Sequence, residues 1–401
     1  MPLTPGRSIA WSEQPRSRRR QHRRWIVSLA VGWAVSICGS VPTSAAQASS
    51  TAVRSTIQAI TSASTVTVRS LPTSITFATP RDGYVADANY LVHTSDSGRS
   101  WIAIRPGLGS IEQVQFLTRR DGLLLTHKGL FSTTNGGSTW LLKSRRPAIR
   151  WMSFITSAKG WALSASTLWE TTDSGESWQR IHTPVTPSEA CFANGDDGWI
   201  MGSSHSQGPE VIWGTLNGGA TWVRRPIETQ LVRNAGASPY GLRILSCASP
   251  ATIWALIEPP GAGYAGGETY GIYDSSNGGR YWHLAGVNPG RDRLPAAPRA
   301  QPEALELAGA TTAYVAASCE ACGRVGTTSV GVMSRGQTKW HVVNLKGAGF
   351  SELVLMDFPR ASFGWALTAH LSSRRYRLKL FETRDHGAAW ITRPIFGSEG
   401  R

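Results

Sequence analysis

The sequence predicts an all-β protein: a single seven-bladed β-propeller of four-stranded antiparallel blades. Three observations predict it. An eight-residue turn motif recurs along most of the chain, paired apolar strands of fixed spacing precede nearly every copy, and the composition suits many short strands joined by tight turns. Of 401 residues, 41% are hydrophobic and only 17% charged, with 42 Gly and 17 Trp. Strands favour aromatic and β-branched residues and turns favour Gly, Asn and Asp, whereas a disordered chain shows the opposite balance.

The turn motif reads [Ser/Thr]-x-[Asp/Asn]-x-Gly-x-x-Trp. Its copies are Thr94, Asp96, Gly98 and Trp101; Thr133, Asn135, Gly137 and Trp140; Thr171, Asp173, Gly175 and Trp178. Thr215, Asn217, Gly219 and Trp222 follow, then Ser275, Asn277, Gly279 and Trp282, and finally Thr383, Asp385, Gly387 and Trp390. A worn copy, Ser334 to Trp340, keeps the Trp but is one residue short and lacks the acid. Successive Trp residues lie 39, 38, 44, 60, 58 and 50 apart, near the ~40–50 period of propeller blades. In such a turn the Asp or Asn side chain accepts backbone N–H groups just ahead of it. The Gly takes a positive φ. The Trp opens the returning strand and is expected to bury its ring between blades.

Upstream of the turns, strand pairs place an aromatic or Leu seven residues apart: Phe77 and Tyr84, Phe116 and Leu123, Phe154 and Trp161, Phe192 and Trp199, Phe358 and Trp365. Cys247 and Trp254 keep the spacing with Cys in the first slot. Each repeat therefore reads strand A, tight turn, strand B, variable loop, strand C, motif turn, strand D.

The repeat resembles the bacterial neuraminidase or Asp-box (BNR) repeat of sialidases, sortilin-type receptors and large glucan-degrading propellers. As one ring of seven repeats behind an export segment, the body from about 70 to 395 is most similar to the photosystem II assembly and stability factor family. That resemblance implies an exported, seven-bladed, non-enzymatic propeller that helps build membrane complexes. The motif is specific for the fold and says little about the biochemistry.

Residues 1–48 carry seven Arg and one Glu, leaving +9 of the formal +15 to the rest of the chain. A basic stretch to Arg24, an apolar run of 14 residues from Trp25 to Cys38, and small residues ending in Ala46-Gln47-Ala48 follow in order. This is the pattern of a signal peptide, and the run is shorter than the ~20 residues a spanning helix needs. Cleavage is expected after Ala48, an uncleaved anchor being the alternative. The protein is accordingly expected to be periplasmic, cell-surface or secreted, with no transmembrane span in the mature chain. Residues 49–63, rich in Ser, Thr and Ala, are expected as a flexible linker, 64–396 as the propeller and 397–401 as a tail. Thr65 to Val68 alternates and is expected as an extra strand that helps close the ring.

A–B turns are short, as at Arg81-Asp82-Gly83, and C–D turns are set by the motif. Extra length therefore falls in D–A and B–C connections, at roughly 224–240, 258–268, 286–302, 318–327 and 370–376. Strand alternation puts both kinds on one rim, and per-repeat insertions on one side mark a binding face. The loops there carry Lys143, Arg145, Arg146, Arg150, Arg224, Arg225, Arg233, Arg291, Arg293, Arg299, Arg374, Arg375 and Arg377. The planar fork of Arg suits carboxylate, sulfate and phosphate. The expected partner is an acidic protein segment, an anionic glycan or membrane head groups, and the competing reading is a solvated surface of a basic protein. The chain is expected to be monomeric. Export removes nucleic acid as the usual basic-protein partner.

An exported sialidase would need an Arg cluster, a Tyr nucleophile with a Glu partner and an early Arg-Ile-Pro segment; Ile149-Arg150-Trp151 has the wrong order and no Pro. Other glycosidases need two carboxylates roughly 5–10 Å apart. Glu228, Glu258, Glu268, Asp292, Glu303 and Glu320 show no paired placement. No catalytic residue, metal site or cofactor is expected, and a carbohydrate-active or lectin-like propeller, or a sortilin-like receptor, stands as the alternative to a protein-binding scaffold. Cys319 and Cys322, in an enlarged B–C loop, most simply form a local disulfide. Cys191 and Cys247 occupy nearly equivalent strand-A positions of adjacent blades, which suits either a bridge or two buried thiols.

Overall fold

The computed structural model describes residues 52–396 apart from 61, 64–65, 69, 146, 204–210, 228–240, 259–269, 289–293, 295–299, 320–325, 335–336, 338, 352 and 373–374. The expected signal segment and tail lie outside the described residues. All regular structure among the described residues is strand, arranged as seven antiparallel blades. Blade 1 holds Ser74–Phe77, Gly83–Ala86, Leu91–Thr94 and Trp101–Arg105 as strands A to D. Blade 2 holds Ile111–Phe116, Gly122–Thr126, Gly129–Thr133 and Thr139–Ser144; blade 3 holds Trp151–Phe154, Gly160–Leu163, Leu168–Thr171 and Gln179–Ile181. Blade 4 runs Thr186–Phe192, Asp197–Ser203, Val211–Leu216 and Val223–Arg224, and blade 5 Gly241–Cys247, Ile253–Glu258, Tyr270–Ser275 and His283–Asn288. Blade 6 runs Ala300–Ala308, Thr312–Cys319, Thr327–Ser334 and His341–Asn344, and blade 7 Leu353–Arg360, Phe363–Ser372, Arg375–Thr383 and Ile391–Arg393. Strand A of one blade touches strand A of the next in every seam except that of blades 3 and 4, where strand B of blade 3 meets strand A of blade 4. Strand A of blade 7 touches that of blade 1, so the ring closes.

The seven-residue spacing finds its reason in the seams. The ring of Tyr84 stacks on Phe116 at 3.6 Å, Trp161 on Phe192 at 3.8 Å, Tyr314 on Phe358 at 3.7 Å and Trp365 on Phe77 at 4.5 Å. In each pair a strand-B ring of one blade lies on a strand-A ring of the following blade. The strand-A ring also folds over its own strand B, where Phe192 pairs with Gly198 and Phe154 with Gly160. A Cβ on Gly198 would fall 2.2 Å from the Phe192 ring. Gly198→Ala should therefore destabilise the protein by about 2–3 kcal/mol, as overpacking does in a dense core. Gly195→Ala, where a Cβ meets nothing nearer than 3.5 Å, should change little. Equal shifts of the denaturant midpoint in the two variants would refute the ring-over-glycine account.

A second seam layer was not foreseen. Immediately before the strand-A aromatic position stand Thr76, Gln115, Ser153, Cys191, Ser246, Glu306 and Asp357, all buried. Gln115, Asp357 and, two positions earlier in their strands, Ser74, Gln113 and Glu189 reach the backbone of the next blade. Gln115 receives Phe154 N–H at 2.9 Å and donates to Phe154 O at 2.8 Å, and Gln113 does the same with Met152. Ser74 donates to Val114 O at 3.1 Å, Leu245 N–H donates to Glu189 at 3.0 Å, and Phe77 N–H donates to Asp357 at 2.6 Å. In the seam of blades 4 and 5 the same position carries a covalent link, a Cys191–Cys247 disulfide with Cα atoms 6.0 Å apart. Buried polar groups persist only when so bonded.

The N-terminal segment differs from the linker expected over 49–63. Val53–Arg54 pairs with strand D of blade 2, Thr56–Ile60 with strand D of blade 1, and Ser62–Ala63 with Ile395–Phe396. Val66–Val68, inside the expected extra strand, pairs with Tyr376–Leu378 of blade 7 strand C. Ile391–Arg393 pairs further along that same strand, so the segment just ahead of blade 1 and the last strand D both add to blade 7. Composition missed the strap because its side chains are mostly exposed and main-chain pairing with open blade edges, which leave unpaired N–H and C=O groups, holds it in place.

Candidate functional site

One rim is built from the motif turns. In blade 3, Thr171 Oγ1 lies 2.7 Å from Asp173 and accepts Gly175 N–H at 2.9 Å, while Asp173 Oδ1 accepts Ser177 N–H at 2.9 Å. Ser174 and Gly175 take φ values of 65° and 83°, the left-handed region in which Gly is at ease. Ser174 N–H donates to Ala158 O of the A–B turn at 2.9 Å, tying the two turns of the blade together. Asp96, Asn135, Asn217, Asn277 and Asp385 accept the equivalent N–H four residues ahead, at 2.9 Å each. Slight burial pulls Asp96, Asp173 and Asp385 upward in pKa, and these hydrogen bonds outweigh it and hold all three below the usual carboxylate range. The acids are thus anchored as anions in structural turns, not free for chemistry.

The motif Trp rings lie in the seams, as expected. Trp101 Nε1 donates to Pro394 O at 3.1 Å, Trp178 to Ser144 Oγ at 3.1 Å, Trp222 to His182 O at 3.0 Å and Trp340 of the worn copy to Ala285 O at 2.9 Å. Every acceptor belongs to the preceding blade, at or just beyond its strand D. Trp140 is fully buried and meets Phe116 edge-on, and Trp390 meets Phe358 likewise.

The opposite rim carries the variable loops, and there the expected basic face is only partly realised. Arg145 at the end of blade 2 strand D is exposed, as are Arg375 and Arg377 at the start of blade 7 strand C. Arg224 is exposed on the outer edge of blade 4 rather than on the loop rim. Arg150 is engaged: its Nε donates to Ser164 O at 2.7 Å and its Nη2 to Pro187 O at 3.2 Å, clasping blade 3 to blade 4. Arg225 is buried in the seam between blades 4 and 5, because consecutive strand residues point to opposite faces. Neither Arg150 nor Arg225 therefore belongs to an open docking surface. Arg146, Arg233, Arg291, Arg293, Arg299 and Arg374 lie outside the described residues.

The candidate acids are scattered. Glu258 is buried at the end of blade 5 strand B and Glu303 is half-buried on blade 6 strand A; Glu228, Glu268, Asp292 and Glu320 lie outside the described residues. Cys319 is disulfide-bonded, while Cys322 lies outside the described residues. Of the two readings for Cys191 and Cys247, the bridge is the one found. Among the described residues no group of three or more His, Cys, Asp or Glu could hold a metal ion, and no helix is long and apolar enough to cross a membrane.

A cleft of about 310 Å³ opens on the turn rim between blades 1 and 2, lined by Tyr84, His93, Asp82 and Arg119 among others. Arg119 Nε lies 3.4 Å from Asp82, and Tyr84 is sandwiched between Phe116 and His93. Burial raises the Tyr84 pKa and lowers that of His93, so both stay neutral. Asp82 and Arg119 pair with each other across this cleft, and among the described residues the buried His93 Nε2 has no hydrogen-bond partner.

No protein-family model and no curated protein matches the sequence. Solved structures of similar fold do exist. One, described as YCF48 bound to D1 peptide, aligns with a TM-score of 0.53 and 13% identity over 80% of this chain and 99% of its own. YCF48 from Cyanidioschyzon merolae aligns with a TM-score of 0.52 and 12% identity over 79% of this chain and 98% of its own. An ancestral GH74 enzyme shows a TM-score of 0.47 and 16% identity over 71% of this chain and 38% of its own. At these identities the likeness is one of fold.

Proposed function

We propose that this protein is an exported, non-catalytic assembly scaffold that docks an acidic protein segment on its loop-bearing rim. The observation that carries the reading is the division of labour between rims. The turn rim holds its acids in structural hydrogen bonds, while Arg145, Arg375 and Arg377 stand exposed on the other. Exposed guanidinium groups attract carboxylates, and charges of one sign on one rim speed encounter through their summed field. A peptide-bound YCF48 of the same fold supports peptide capture as the use of such a ring. The buried Cys191–Cys247 bridge supports an oxidising compartment, where disulfides persist.

The test is binding of a synthetic Asp/Glu-rich peptide to the chain from residue 49 onward, at low and high salt. Arg375→Glu with Arg377→Glu should weaken binding roughly tenfold at low salt, mostly through a slower on-rate, and less at high salt. Unchanged affinity in the double variant would sink the docking site. Turnover of sialyl, xyloglucan or other charged glycans would replace the reading with a carbohydrate-active one.

A further inference from the structure

The third residue after the motif Trp on strand D is arginine in blade 4 and in blade 7: Arg225 after Trp222, and Arg393 after Trp390. The register is the same in both blades. Ile391 pairs with Glu382 in blade 7, and Val223 pairs with Gly214 in blade 4. On the face turned to the next blade, the diagonal neighbour of Arg393 is therefore Glu382, and that of Arg225 is Gly214. In blade 7 the repeat is complete: Arg393 Nε donates to Glu382 Oε2, and Arg384 Nε donates to Oε1 of the same, fully buried carboxylate at 2.6 Å.

In blade 4 the arginine is kept and the acid is gone. A Cβ on Gly214 would sit 3.0 Å from Trp199 Nε1 and 3.2 Å from Arg225 Nε, so a carboxylate stem at this position would run between that indole and this guanidinium. Arg225 is 9% exposed, and its buried Nε has no hydrogen-bond partner among the described residues. Across the seam, Trp282 Nε1 of blade 5 is also buried with no acceptor among the described residues, as are Trp140 and Trp390 Nε1 in blades 2 and 7, whereas the equivalent indoles of blades 1, 3, 4 and 6 have one. Both side chains pack against Gly279, where a Cβ would meet Arg225 Cβ and Trp282 Cζ2 at 3.3 Å each. Arg280, next in that turn and exposed, adds a second positive charge close enough to depress the Arg225 pKa further than burial alone does. A buried cation with a like-charged neighbour and no counter-ion is an unstable arrangement. Two orphaned donors on side chains that meet at Gly279 call for an acceptor in this seam.

We propose that the seam between blades 4 and 5 is a binding site for a single oxyanion, held by Arg225, Arg280 and Trp282 Nε1, which takes the place in blade 4 that Glu382 holds in blade 7. The site lies beside the blade 5 motif turn and is separate from the loop-bearing rim. The ligand is a carboxylate or a small tetrahedral anion, either free in solution or carried on an acidic peptide.

The test is thermal unfolding of the full chain titrated with inorganic phosphate, and separately with a Glu-rich peptide, at constant ionic strength set with chloride. One of the two should raise the midpoint saturably by roughly 5 °C at a large excess over its Kd. Saturation by phosphate alone identifies a free ion; saturation by the peptide alone identifies a carboxylate brought by a partner chain. Arg225→Met, which keeps the aliphatic stem, should abolish the shift, and Arg280→Ala, at an exposed position that leaves the seam packed, should reduce it several-fold even if Arg225→Met fails to fold. Glu228→Gln should leave the shift in place. An equal shift in Arg280→Ala, no shift with either ligand in the wild type, or a shift that appears only in Glu228→Gln, meaning the chain's own loop fills the site, would each overturn the proposal. Arg375→Glu with Arg377→Glu should leave this shift intact, so failure here and failure of rim docking are distinguishable.

Discussion

Reducing or replacing the Cys191–Cys247 disulfide should lower stability by about 4 kcal/mol. The bridge closes 56 residues, and the loop-closure entropy that a cross-link of that length removes from the unfolded chain has about this size at 25 °C. Both sulfurs are buried in the core of the blade 4–5 seam, whereas the seams of blades 1–2, 2–3 and 7–1 are linked in this layer by hydrogen bonds. The folded state should therefore resist reductant, and the loss should appear when unfolding is followed under reducing conditions. Cys191→Ala should reproduce most of it, with an added contribution from the small cavity left behind. Wild type and Cys191→Ala with equal denaturant midpoints under oxidising conditions would show that the bridge contributes no net stability. The bridge staples the ring just beside Glu189 and its bond to Leu245, so its loss should open the 4–5 seam first. Hydrogen exchange at Leu245 and Cys247 reads this directly, since local opening exposes those amides before global unfolding does.

Raising the pH from 4 to 8 should weaken the closure of the ring through Asp357. This side chain lies fully buried in the seam where blade 7 meets blade 1, and burial lifts its pKa to about 7, only partly opposed by the hydrogen bond from Phe77 N–H. In the unfolded chain the same carboxyl titrates near 3.8. The folded state therefore holds the proton more tightly than the unfolded state. The stability associated with the neutral acid is full below pH 4 and is lost as pH rises through 7. A tenfold change in proton concentration across that window corresponds to about 1.4 kcal/mol, so the whole loss is about 4 kcal/mol. Asp357→Asn retains an oxygen for the Phe77 N–H and removes the titration. The variant should show a flat stability profile where the wild type slopes downward, and should be the more stable protein at pH 8. Parallel profiles in the two proteins would remove Asp357 from the account. The Asp96, Asp173 and Asp385 turns work in the opposite sense: their lowered values give stability that is present above the ordinary carboxylate range and lost as pH falls through the folded-state values.

Particular residues show how far sequence reasoning reached. The turn around Asp173 was legible because every partner in it, from Thr171 to Trp178, lies within eight consecutive residues and obeys local rules. The Phe192 and Trp199 spacing was visible as a pattern, but its cause was not: Phe192 stacks on Trp161 of the preceding blade and folds over Gly198. The residue ahead of the strand-A aromatic position, from Thr76 to Asp357, stands in the sequence as a polar position inside an otherwise apolar strand, and its partners lie one blade away. The sequence places Arg224 and Arg225 together on the basic rim, yet strand alternation alone separates the two side chains onto opposite faces. Arg150 could not have been placed without knowing that Pro187 lies beside it.

By itself the sequence determined the repeat unit, the number of blades, the order of strands within each, and which rim receives the long connections, because turn and strand chemistry acts between neighbours along the chain. Only the tertiary structure decided which arginines stand free, which cysteines join, and how the ends of the chain close the ring. Those outcomes depend on residues such as Phe77 and Asp357, 280 positions apart, that meet only once the circle is complete. A side chain's chemistry can be read from its identity, but its partner is set by the geometry of closure.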